Sequence, residues 1–181
     1  MREVDRRTRV SRRVFLRNGA AAVPAAVVAG ASISANAAWA QDAKTLSPHV
    51  MATLVRAARD IYPHDQIADL FYARAVTPWD AKAGKDAEVR AMLDGGVARL
   101  DQDAKERNAS DYLGVAWEAD RLVLLRGIEH TAFFRAVRAD LVVSLYNQPA
   151  LWPKFGYEGS SAEHGGYIAR GFDDIDWLQS V

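Results

Sequence analysis

The chain has 181 residues with 23 basic and 23 acidic side chains, is 50% hydrophobic, and contains no cysteine. The missing cysteines exclude disulfides, thiolate metal sites and covalent c-type haem attachment. The charges are unevenly placed. The first forty residues hold seven arginines against two acids, which leaves 16 basic and 21 acidic residues in the rest of the chain. An acidic body disfavours nucleic acid and anionic membrane surfaces as partners, because both need a positive field.

The first element is an export address. Ser11-Arg12-Arg13-Val14-Phe15-Leu16-Arg17 leads into an alanine-rich stretch with no charge between Arg17 and Asp42, and the stretch closes on Ala38-Trp39-Ala40. A basic head, an apolar middle and a small-residue exit are the three parts of a secretory signal. Paired arginines point to the twin-arginine (Tat) route, with Arg12, Arg13, Phe15 and Leu16 as the export signal read by the Tat translocon. Ala38 and Ala40 frame the expected cleavage, so 1–40 reads as signal peptide and the mature protein as periplasmic. Pro24, Gly30 and several serines interrupt the middle too often for a membrane span. The twin-arginine route is associated with cargo that folds, loads a cofactor or acquires a partner before crossing.

Residues 41–150 read as a helical bundle. Ser47-Pro48 offers a cap and a first-turn proline, and Val50, Met51, Leu54, Val55, Ala58, Ile61 and Tyr62 recur with helical spacing up to Pro63. After a turn at His64-Asp65, Ile67, Leu70 and Phe71 predict a shorter helix that stops before Thr77-Pro78. Val89, Met92, Leu93, Val97 and Leu100 predict a third, weakened by Gly95-Gly96, which cost about 1 kcal/mol each relative to alanine. Ser110-Asp111 is a candidate cap for a short helix around Trp117, and Leu122, Leu125 and Ile128 share one side of a helix over 120–128. From Phe133 to Tyr146, with Thr131 as its start, the set Phe134, Val137, Leu141, Val142 and Leu145 gives the strongest periodicity of the chain. Asn147-Gln148-Pro149 ends it. Nothing alternates long enough to require a strand, so the predicted fold is all-α: a small helical bundle with a long irregular C-terminal tail.

That tail, 151–181, carries Trp152, Phe155, Tyr157, Tyr167, Phe172 and Trp177 among glycines and acids. Each large ring contributes roughly 1.5–3 kcal/mol when buried, so the segment must pack onto something. A small domain commonly uses single aromatics to complete its own core. Six rings in about thirty positions, separated by glycines that allow close backbone approach, suit an interface arm on another subunit better. Trp152, Phe155, Tyr157, Tyr167, Arg170, Phe172 and Trp177 are therefore the candidate partner interface.

Signals of catalysis are weak by comparison. His64-Asp65, Glu129-His130 and Glu163-His164 each place an acid beside an imidazole, but neighbours on a helix do not face one another. The four histidines, His49, His64, His130 and His164, show no metal-ligand spacing, and Asp173, Asp174 and Asp176 lack the spaced oxygens of a calcium loop. Gly156, Gly159, Gly165, Gly166 and Gly171 open no helix after a strand, so no phosphate cradle is predicted. The chain is expected to carry no cofactor and no metal itself. The alternative is an independent periplasmic enzyme or small-ligand-binding protein with a site around His164, Arg170, Asp173 and Asp174.

The run Trp152-Pro153-Lys154-Phe155-Gly156-Tyr157-Glu158-Gly159-Ser160, followed by Gly165-Gly166-Tyr167-Ile168-Ala169-Arg170-Gly171-Phe172-Asp173-Asp174-Ile175-Asp176-Trp177, resembles the C-terminal end of the gluconate 2-dehydrogenase subunit 3 family. Glu129-His130-Thr131-Ala132-Phe133-Phe134 and Tyr62-Pro63-His64-Asp65 are similar to it as well. The resemblance implies a small, non-catalytic subunit that brings the twin-arginine leader and stabilises or matures a large subunit. That large subunit would be an FAD enzyme of the glucose-methanol-choline type, with a cytochrome c subunit as a further partner. It does not imply gluconate as substrate, because similar small subunits accompany enzymes acting on different sugars and polyols.

Overall fold

The computed structural model of the protein describes residues 43–168. The export residues Arg12, Arg13, Phe15, Leu16, Ala38 and Ala40 lie outside the described residues, as do Arg170, Phe172, Asp173, Asp174 and Trp177. The described chain is all-α: α1 (Pro48–Ile61), α2 (Asp69–Val76), α3 (Pro78–Lys85), α4 (Ala87–Lys105), α5 (Glu118–Gly127) and α6 (Ala132–Ser144). Two 3-10 helices follow, Pro149–Phe155 and Ser161–His164.

The best-defined helix starts are set by short side chains that satisfy orphan amides. Ser47 Oγ accepts from Val50 N at 3.2 Å ahead of Pro48, Asp86 Oδ1 accepts from the amides of Glu88 and Val89, and Thr131 Oγ1 accepts from Phe134 N. Helix α1 is the hub and packs against α2, α4, α5 and α6. It buries residues around most of its circumference, from Val50, Met51, Leu54 and Val55 to Thr53, Ala57 and Asp60, because partners surround it rather than lie to one side.

Two expectations need correcting, and one helix was not expected. The second helix does end before Thr77-Pro78, at Val76, but α3 follows at once: Thr77 takes helical angles (φ −52°, ψ −39°), and its amide and hydroxyl both donate to Ala73 O. Proline fits at the first helical position because its missing amide would have no partner there. Around Trp117 there is no helix. Asp111 instead closes a local turn by accepting from Gly114 N at 2.7 Å, the aspartate turn that competes with helix, and α5 begins only at Glu118. The inward faces also differ. Leu70 and Val142 are about half exposed, while Tyr72, Val76 and Phe133 fill the interior.

The glycine pair in α4 is resolved by what stands opposite. A Cβ on Gly96 would overlap the ring of Phe133 from α6, whereas one on Gly95 would meet nothing within 4 Å. Gly96 is therefore the contact point of α4 with α6, and Gly95 is a helix residue without a packing role. The N-terminal segment is fastened differently. The Asp80 carboxylate in the first turn of α3 accepts from the amides of Lys44, Thr45 and Leu46 at 2.8–2.9 Å. Burial works to raise the Asp80 pKa, but the three amide donors outweigh it and hold the carboxyl below its ordinary value.

Two predictions follow from these contacts. Gly96→Ala lowers unfolding free energy by about 1–3 kcal/mol through overpacking, while Gly95→Ala raises it by about 0.5–1 kcal/mol; denaturant melts of both variants check the contrast. Because the folded-state pKa of Asp80 is depressed, its stabilisation is complete above the ordinary carboxyl pKa and is lost as pH falls through the folded value. Asp80→Ala thus lowers the melting temperature at pH 7 and loses that difference on acidification below about pH 4.

Candidate partner interface

The described part of the aromatic tail gathers against the turn after α1 and the end of α6. Tyr146, just past α6, is the centre. Its ring meets Tyr62, His64 and Phe155 edge-on at centroid distances of 5.7, 5.6 and 5.6 Å, and His64 and Phe155 meet each other at 5.2 Å. Edge-to-face rings at such spacing add about 0.5–1.5 kcal/mol per pair beyond area burial. The Tyr146 hydroxyl and His64 Nε2 share a hydrogen bond of 2.6 Å. Burial, reinforced by Tyr62 beside it, lifts the Tyr146 pKa above the ordinary value, so the phenol stays protonated at neutral pH. Tyr72 holds the same corner from inside by donating to Tyr62 O at 2.6 Å.

The tail is bolted to the bundle at four points. Leu151 is fully buried in the core, so the expected domain edge at 150/151 falls inside the 3-10 helix Pro149–Phe155. Trp152 Nε1 donates to Tyr146 O at 3.0 Å, Lys154 Nζ donates to Gln66 O at 2.8 Å, and Gln148 bridges Phe71 O and Ser144 O. Beyond this the backbone doubles back through Gly156 (φ 69°) and Gly159 (φ 107°), which lets Gly159 approach the Trp152 ring. Both angles lie where a side chain is strained.

The candidate residues divide accordingly. Trp152 is half-buried, stacks edge-on with Tyr157 at 5.2 Å and lines a cleft of about 520 Å³ with Pro149, Pro153, Gly156, Tyr157 and Glu158. Phe155, Tyr157 and Tyr167 are exposed at 39, 51 and 72%, and Ile168 is almost wholly in solvent. His164, the described member of the alternative ligand site, is exposed and bonds Glu158 O at 3.2 Å. The other histidines have different partners. His49 pairs with Asp101 at 2.7 Å, and His130 lines an open groove at the start of α6 with Glu129, Phe134, Arg135, Arg138 and Ala139. Among the described residues no group of three or more His, Asp or Glu side chains is placed to hold a metal ion, and no helix is long and apolar enough to cross a membrane.

Sequence reasoning missed the polar knot beneath this end of the bundle. Arg121 on α5 makes a two-pronged ion pair with Asp60 on α1, Nε to Oδ2 at 2.7 Å and Nη2 to Oδ1 at 2.9 Å. The Tyr112 hydroxyl donates to Asp60 Oδ2 at 2.8 Å. The third arm of the guanidinium donates to Val115 O and Ala116 O. Burial alone would pull the Arg121 pKa down, but the Asp60 carboxylate more than offsets it and the pKa is raised. Burial and then the Asp60 charge push the Tyr112 phenol far above its ordinary value. The network is structural in chemistry: each of its polar side chains has a hydrogen-bonding partner inside it.

Comparison of the chain with family models, curated proteins and solved structures gave no match.

Removing one member of the buried pair leaves the other charge unpaired, so Arg121→Met or Asp60→Leu alone costs about 3–5 kcal/mol, whereas the double replacement recovers most of the loss. Urea denaturation of the three variants measures the coupling.

Proposed function

We propose that this chain is the non-catalytic small subunit of an exported dehydrogenase whose catalytic subunit is an FAD flavoprotein of the glucose-methanol-choline type acting on the CH–OH groups of a sugar or polyol. In this reading the chain supplies the twin-arginine signal for both proteins and stabilises the flavoprotein as it matures. FAD belongs to the partner, and a cytochrome c subunit takes the electrons. The working compartment is the periplasm.

The observation that carries the reading is a paired-arginine sequence, Ser11 to Leu16, ahead of a body whose C-terminal segment resembles that of the family named above. The exposure of Phe155, Tyr157, Tyr167 and Ile168 within one short segment supports it, because apolar side chains left in solvent together are a feature of protein–protein contact surfaces. The division of the tail also supports it: Leu151 and Trp152 serve the bundle, whereas Phe155, Tyr157 and Tyr167 are exposed.

Replacing Arg12 and Arg13 together with lysines is expected to retain both this chain and the flavoprotein in the cytoplasm. Cell fractionation with a dye-linked dehydrogenase assay and a flavin determination reads the result. Periplasmic activity at the wild-type level in that variant overturns the escort role.

A further inference from the structure

Trp117 is 75% exposed, yet the backbone on either side of it is held by hydrogen bonds. Its carbonyl accepts from the amides of Asp120 and Arg121, which starts α5. The two residues before it are gripped from inside, where the buried Arg121 guanidinium, itself locked by Asp60, donates to the carbonyls of Val115 and Ala116. Buried Tyr112 closes the same network. A side chain of this size, left in water on a rigid support, contributes almost nothing to the fold. Large aromatic side chains on preformed supports are what binding anchors consist of, because little freedom is lost when they enter a pocket.

The charges beside it specify what covers it. Glu118 and Asp120 stand in the same turn, are exposed, and form no salt bridge within 4 Å among the described residues. Acids in a first turn suit the helix dipole, which accounts for their sign but not for a tryptophan beside them. Two copies meeting face to face would press these acids together, and an anionic membrane would repel them. A protein surface with Lys or Arg around an apolar recess is complementary.

We infer that Trp117 is the rigid anchor of the docking surface for the flavoprotein subunit and enters an apolar pocket whose rim is basic. This rests on the accessory-subunit reading. The test uses the full chain and the FAD-containing subunit isolated with it from its own host, with the dissociation constant measured by calorimetry and association rates by surface plasmon resonance. Trp117→Ala is expected to weaken binding at least 30-fold, the range of an interface hot spot, and to leave the melting temperature of the isolated chain unchanged. Glu118→Lys with Asp120→Lys is expected to slow association about tenfold at low salt, with the difference shrinking as salt is added. A Trp117→Ala dissociation constant within twofold of wild type overturns this inference and leaves the accessory role standing. A lowered melting temperature assigns the ring to the fold and overturns it as well. Failure of the wild-type chain to bind any flavoprotein removes both.

Discussion

The buried pair between Asp60 and Arg121 is the constraint on which the arrangement of the bundle depends. Two charges taken out of water cost several kcal/mol each unless their geometry and remaining hydrogen bonds are complete. Here they are: both carboxylate oxygens face guanidinium nitrogens at 2.7–2.9 Å, a tyrosine hydroxyl completes the acid, and two carbonyls complete the base. The consequence is directional. An apolar contact between α1 and α5 would tolerate sliding by part of a turn, but a two-pronged ion pair with five hydrogen bonds does not. Fixing α5 on α1 also fixes the loop before it, because the same guanidinium holds Val115 and Ala116.

At the same end of the central helix the tail divides into a part that belongs to the core and a part that does not. Leu151 fills the interior, and Trp152 buries one face while its indole nitrogen finds a carbonyl, the usual solution for a large ring with a polar handle. Phe155 reaches the cluster of Tyr62, His64 and Tyr146 only with its edge and remains 39% exposed. After that the glycines at 156 and 159 turn the chain back, and Tyr157 and Tyr167 remain exposed. Surface area decides this outcome. A body of this size cannot enclose every apolar group it carries, and Phe155, Tyr157, Tyr167 and Ile168 are among those left outside.

How much of this was legible in the sequence depends on the range of the interaction. Helices α1, α4 and α6 could be read because their apolar residues recur with a period near 3.6, Ser47 and Thr131 sit just before two of them, and Pro63 and the 147–149 segment mark two of the ends. Helix α3 was hidden by Pro78, which at the first position of a new helix looks the same as a proline ending an old one. Leu70 and Val142 were placed on the wrong face because a short apolar stripe leaves the rotation of a helix undetermined by about one residue, and only neighbours settle it. The candidate interface was legible as composition, since six rings in a glycine-rich tail are visible at once. Its floor was not, because Tyr62, His64 and Tyr146 come from segments some eighty residues apart that fold brings together. The Asp60–Arg121 pair spans 61 residues, and no local pattern separates such a pair from any other acid and base. Trp117 was seen only as part of a helix that does not exist.

The absence of cysteine and the presence of a twin-arginine leader fit one physical account on the proposed reading. A protein that folds before it leaves a reducing compartment gains nothing from disulfides, yet a small domain commonly needs some staple beyond its apolar core. The staples here are electrostatic and need no oxidant. The Asp60–Arg121 pair joins α1 to α5, and the Asp80 carboxylate gathers the amides of Lys44 to Leu46 onto α3. Both can form in the cytoplasm as soon as the helices meet. The first also stiffens the segment that carries the exposed Trp117 ring, so a partner that buries that ring would meet a surface already in its bound shape and retain more of the contact energy as affinity. On the proposed reading, rigidity reached without disulfides also suits the chain as a platform for another protein.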